Sequence, residues 1–115
     1  YSIRGDFLWN EEDEEIVLEF EMPGVKMHDL DISLARDPYS RAIQLIIQGR
    51  TVPRLADVAG KRMRLKRERN YGDFKRVINV PPTTTADNVS ALLQDGVLTI
   101  RVPLPTSGVP QEPPQ

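Results

Sequence analysis

His28 is the only histidine of this 115-residue chain, and cysteine is absent. These two facts close most routes to side-chain chemistry. A histidine-centred metal cluster, a thiolate metal site, a disulfide framework and a cysteine nucleophile all need residues that are missing. His28 itself reads as a solvated residue at the start of a strand. Gly60-Lys61 has the look of a phosphate loop. However, position 55 is leucine where the first glycine belongs, and Arg62 replaces the Ser/Thr, so ATP binding is unsupported and no cofactor is expected. Glu11-Glu12-Asp13-Glu14-Glu15 offers five carboxylates without ordered ligand geometry, which fits a solvated turn rather than a calcium site. Lys61 to Arg69 carries six basic residues. In a strand they would point to both faces with little aromatic material nearby, which argues against nucleic acid as a partner. Asn88-Val89-Ser90 matches a glycosylation acceptor that has meaning only in a secreted protein. No nucleophile, base or cofactor constellation remains, so the expectation is a protein that is not an enzyme.

What these residues would be mounted on is legible from period and punctuation. At 39% hydrophobic and 28% charged, with a net charge of -2, the chain fits one globular domain and gives no bulk electrostatic reason for a polyanionic partner. No run approaches the roughly 18 apolar residues of a membrane span, so no membrane partner is expected. A cytoplasmic location is the expectation, with which the absence of cysteine is compatible. Opening on Tyr1 suggests a trimmed longer protein.

Leu18, Phe20 and Met22 share one face of the run from Ile16, and Leu30, Ile32 and Leu34 alternate with Asp31 and Ser33. Ile43, Leu45 and Ile47 form another face with Ile46 opposite, which predicts a strand covered on both sides. Phe74, Arg76, Ile78 and Val80 line one side of a fourth run. Val89 to Leu93 and Val97 to Val102 flank Gln94-Asp95-Gly96, a strong hairpin signal because glycine accepts positive φ. Breakers at Pro23-Gly24, Asp37-Pro38, Gly49, Gly60, Gly72 and Pro81-Pro82 separate these runs. Helix is limited to a turn near Ala86-Asp87-Asn88. Many short antiparallel strands point to a β-sandwich.

Four segments in order resemble the α-crystallin domain of the small heat-shock protein family. Ala91-Leu92-Leu93-Gln94-Asp95-Gly96-Val97-Leu98, running on to Pro103, looks like the signature that closes such domains: an alanine, a leucine two positions on, then Gly-Val-Leu. Phe20-Glu21-Met22-Pro23-Gly24-Val25 resembles its strand and Pro-Gly-Val turn. Ile47-Gln48-Gly49-Arg50-Thr51 is similar to the strand end before its long loop. Glu68-Arg69 and Gly72-Asp73-Phe74 sit where the family has an arginine-bearing strand and a Gly-x-Phe turn.

The resemblance covers nearly the whole chain. It implies an all-β, immunoglobulin-like antiparallel sandwich over residues 1–104 and a flexible Pro-rich extension over 105–115. Residues 50–66 would be the long dimerisation loop of the plant, fungal and bacterial type. The implied function is an ATP-independent holdase that binds partly unfolded clients and prevents their aggregation, as a homodimer that builds a larger oligomer. Arg62-Met63-Arg64 would be the strand exchanged between partners, and Arg69 would support the interface by ion pairing. Ile32, Leu34, Ile78 and Val80 would line a peptide groove. Two features depart from the pattern: the hydrophobic N-terminal arm and a C-terminal Ile-x-Ile segment are not evident, which makes a dimer the expected assembly. A monomeric CS-type co-chaperone docking module is the alternative, against which the long loop and the Gly-Val-Leu hairpin stand.

Overall fold

The computed structural model describes residues 1–40, 42–51, 62, 64, 66 and 72–105. Strands alternate inward apolar with outward polar residues, and the burial follows that alternation. In β2 (Glu15–Glu21), Ile16, Leu18 and Phe20 are buried between Glu15, Val17, Glu19 and Glu21. β7 (Val97–Pro103) buries Leu98, Ile100 and Val102 against them. β4 (Ile43–Thr51) does the same with Ile43, Leu45 and Ile47. Each such side chain contributes roughly 1.5–3 kcal/mol on burial.

Two antiparallel sheets result. β1 (Gly5–Asn10), β2, β7 and β6 (Ser90–Gln94) form one in the order β1-β2-β7-β6. β3 (Leu30–Arg36), β4 and β5 (Gly72–Val80) form the other in the order β3-β4-β5. Their inner faces share one core, and the sandwich expected from the sequence is the fold observed. The only helical pieces among the described residues are single turns at Met27–Asp29 and Ala86–Asn88. In the second, Asn88 accepts the Thr85 backbone N–H at 3.0 Å.

The turns follow from their residues. Asp95 and Gly96 have φ of 54° and 77°, the paired positive values of a type I′ hairpin, and join β6 to β7. The acidic run is a solvated turn between β1 and β2. Asn10 Oδ1 accepts the Asp13 backbone N–H at 3.1 Å, and Asn10 Nδ2 donates to Asp13 Oδ2 at 2.9 Å.

Three expectations need correction. β1 was absent from the strand pattern, because Leu8 and Trp9 break its alternation and only Phe7 turns clearly inward. Pairing with β2 creates this strand. Arg50 and Thr51, expected in the long loop, continue β4 opposite Asp73 and Gly72. Ile46 is not covered by a second layer among the described residues: it sits half-buried between Ser33 and Val77, and Val77 is 44% exposed.

Candidate functional site

The four residues expected to line a groove occupy one continuous face. Ile32 and Leu34 of β3 pair with Ile47 and Leu45 of β4. Leu45 and Ile43 pair in turn with Ile78 and Val80 of β5. Leu34, Leu45 and Ile78 therefore form a row across all three strands. β4 stands between the two pairs, so they are not facing walls of one groove. Val80 is buried in the core, while Ile32, Leu34 and Ile78 pack half-buried against it. Alternation reports which face a residue occupies, not which strand lies beside it.

Among the described residues, β3 nevertheless has a neighbouring strand on one side only, and so does β6 in the other sheet. Both edges lie on the same flank. Arg76 of β5 reaches over the rings of Phe7 and Phe20, 5.2 and 5.8 Å from their centroids, which places β5 beneath β1 and β2. β3, at the far side of its sheet, therefore lies on the β6 side. Ala91 and Leu93 of β6 are only half-buried, as are Ile32 and Leu34. The flank thus offers two strand edges that lack a neighbouring strand among the described residues, beside half-buried apolar side chains. Such a cleft can accept an extended peptide by strand addition, with side chains read in pockets.

The residues expected at a dimer interface fall differently. Arg62 and Arg64 are exposed and belong to no strand. Met63 and Arg69 lie outside the described residues, as do most of residues 50–66 and residues 106–115. The structure does reveal a further sheet edge, at β1, that the sequence did not signal. Among the described residues β1 pairs with β2 alone, and its Leu8 and Trp9 are 57% and 59% exposed. The Trp9 ring stands edge-on to Phe7 at 6.3 Å.

Charge plays a local part. Arg101 Nη1 donates to Glu15 Oε2 and fastens β7 to β2 on the outer face. The exposed Arg50–Asp73 pair at 3.6 Å is worth little in water. In the β3–β4 turn, the Tyr39 backbone N–H and the Ser40 hydroxyl donate to Asp37, which holds its carboxyl below the ordinary value of 3.8. His28 lies in the exposed turn before β3, 3.6 Å from Asp29. Among the described residues, no group of three or more His, Cys, Asp or Glu is placed to hold a metal. Also among them, no helix is long and apolar enough to cross a membrane.

Fold and edges together define a two-sheet antiparallel β-sandwich with one flank open between β3 and β6. The chain belongs to the Hsp20/alpha crystallin family, whose sequence profile matches residues 8–114. Spore protein SP21 of Stigmatella aurantiaca is 31% identical over 99 residues, 78% of this chain and 48% of that protein. The 16.9 kDa class I heat shock protein 3 of Oryza sativa subsp. japonica is 30% identical over 95 residues, 83% of this chain and 59% of that protein. This chain therefore spans about half the length of those relatives. Among solved structures, a small heat-shock protein from Xylella fastidiosa superposes with a TM-score of 0.73 and 25% identity, covering 97% of this chain and 94% of that one. Heat shock protein 16.0 from Schizosaccharomyces pombe gives 0.70 and 26%, covering 90% and 87%.

Proposed function

We propose that this chain is the dimer-forming, client-binding domain of an ATP-independent cytoplasmic holdase. It captures partly unfolded proteins and serves as the building block of a larger oligomer. The observation that carries this reading is the open flank, where the unpaired edges of β3 and β6 lie beside Ile32, Leu34, Ala91 and Leu93. An unfolding client supplies what this flank lacks, namely extended backbone with alternating apolar side chains. Each buried anchor adds roughly 1.5–3 kcal/mol, so single contacts are weak and reversible. Affinity then grows through multiple copies in an oligomer.

For the dimer, the segment around Arg62-Met63-Arg64 of one copy adds to the β1 edge of the other, and Arg69 supports the contact by ion pairing. The free edge of β1 and its exposed Leu8 and Trp9 favour that acceptor. An unpaired edge of this kind is a liability unless something covers it. The residues bounding the domain are those given by the sequence, with the extension starting at Pro105. Nothing in the reported matches favours the CS-type alternative.

The test is light scattering from a heat-denaturing client without ATP. The unaltered chain should suppress aggregation, and Leu93→Ser should weaken suppression at least fivefold at matched folded fraction. Full suppression by Leu93→Ser would sink the cleft reading. Sedimentation across a dilution series tests the dimer: Arg69→Gly and deletion of residues 58–65 should each shift the mass toward monomer, and an unchanged mass removes the exchange mechanism.

A further inference from the structure

The flank opposite the open cleft is closed by the chain itself. Residues 1–4 precede β1 and belong to no strand, yet Ile3 is only 4% exposed and joins the core cluster. The Ile3 carbonyl accepts a hydrogen bond from Arg76 Nη1 at 3.0 Å. Two positions earlier, the Tyr1 ring meets Phe74 edge-on at 5.6 Å, and its hydroxyl accepts from Thr51 Oγ1 at 3.2 Å. On the other side, the Arg4 carbonyl accepts the Glu21 backbone N–H at 3.2 Å. The segment thus crosses from β2 in one sheet to β4 and β5 in the other and bridges the gap between them.

Its mode of attachment is that of a bound peptide. Side chains two positions apart face the same surface, the spacing of an extended chain. A carbonyl meets a fixed donor, and one branched aliphatic group is buried. Arg76 belongs to the receiving surface, since its guanidinium is stacked over Phe7 and Phe20 of β1 and β2. Gly5 marks the root of the segment: a Cβ there would lie 2.5 Å from two atoms of the Phe20 ring. Beside Ile3 is a cavity of about 660 Å³ lined by Arg4, Phe20 and Arg76 together with the acidic residues Asp6, Glu19 and Glu21. That charge favours a basic residue directly after the aliphatic one.

We propose that this flank is a second peptide slot, selective for an extended segment reading aromatic, any residue, branched aliphatic, basic, and that Tyr1-Ser2-Ile3-Arg4 is its resident ligand. The slot is distinct from the β3–β6 cleft and lies at the other side of the sandwich. Because the resident is tethered, its effective concentration is of millimolar order, and an outside peptide competes only when the resident lifts or is weakened. Occupancy by a client segment therefore depends on release of residues 1–4.

The test uses the full chain and the fluorophore-labelled peptide acetyl-Tyr-Ser-Ile-Arg-amide, followed by anisotropy. Ile3→Ser removes the buried anchor of the resident and should bind the peptide roughly tenfold to a hundredfold more tightly than the unaltered chain does, the range set by burying one isoleucine. Replacing the peptide isoleucine by serine should abolish that gain. A cooperatively folded Ile3→Ser chain that binds no better than the unaltered one overturns the proposal. Hydrogen exchange of the unaltered chain supplies an independent reading. The Glu21 amide, which donates to Arg4, should exchange at least a hundredfold faster than the amides of the β2–β7 ladder. Equal rates mean that the segment leaves only on global unfolding, and that too overturns the slot. Aggregation assays with Leu93→Ser report on the cleft alone, so the two readings fail separately.

Discussion

Gly49→Ala tests how tightly the two ends of the three-stranded sheet are fitted. Gly49 faces Phe74 across the β4–β5 ladder. A Cβ on Gly49 would stand 2.7 Å from Phe74 Cζ, 3.0 Å from the Asp29 carbonyl oxygen and 3.1 Å from Leu30 Cδ2. Ordinary contacts between carbons lie near 3.5–4.0 Å, about half an ångström or more beyond these values. The Asp29 oxygen belongs to the backbone of the turn that leads into β3 and cannot yield cheaply. The Phe74 ring is 3% exposed and already holds Tyr1 at its edge, so it cannot slide freely either. Overpacking of this kind costs about 1–3 kcal/mol. Replacing glycine also restricts the unfolded chain, which offsets about 0.4–1 kcal/mol. The crowding wins, and the expected net loss is about 1–2 kcal/mol, with a melting shift of about 4–8 °C per kcal/mol. Urea unfolding followed by far-UV circular dichroism measures it. Phe74→Leu removes the closest atom, so Gly49→Ala should cost less than half as much in that background. An equal cost in both backgrounds, or stabilisation by alanine, would refute the reasoning.

Two further outcomes follow from single residues. Gly96→Ala forces a side chain into a φ of 77° and places its Cβ 3.4 Å from Pro23 Cα, so stability should fall by about 1–2 kcal/mol; a loss under about 0.5 kcal/mol would contradict the type I′ assignment. Asp37 has a lowered folded pKa, so its ionised form adds stability above its ordinary value of 3.8, and that stability drains away as pH falls through the lowered folded value. Asp37→Asn should therefore be less stable than the unaltered chain at neutral pH and converge with it in acid, as pH-dependent urea unfolding would show; a gap independent of pH removes the turn's carboxylate as the cause.

The strands β2, β3, β4, β5 and the β6–β7 hairpin were legible because their period of two survives in the residues themselves. β1 was hidden because an edge strand needs no clean alternation once β2 supplies its hydrogen bonds. Ile32, Leu34, Ile78 and Val80 share one face as their period implies, but β4 separates the first pair from the second; in the cleft proposed above, Ala91 and Leu93 take the place of Ile78 and Val80. Which edge of one sheet lies over which edge of the other is set by long-range packing, and no local pattern encodes it. One signal was available and unused. Arg76 falls on the apolar face of its strand, and a cation there requires partners that the strand cannot provide; they proved to be two rings and the Ile3 carbonyl.

The central ladder of the four-stranded sheet has a consequence for how this protein comes into being. It pairs residues 15–21 with residues 97–103, so β2 waits for about 75 intervening residues to be synthesised before its neighbour exists. Until then, Leu18 and Phe20 have no inner sheet to complete, and only the short β1–β2 hairpin can form on that side. Contacts this distant in sequence also close slowly, because the loop entropy is spent before the pairing repays it. On the ribosome, this domain is thus, for most of its own translation, an unfinished chain with exposed apolar strands.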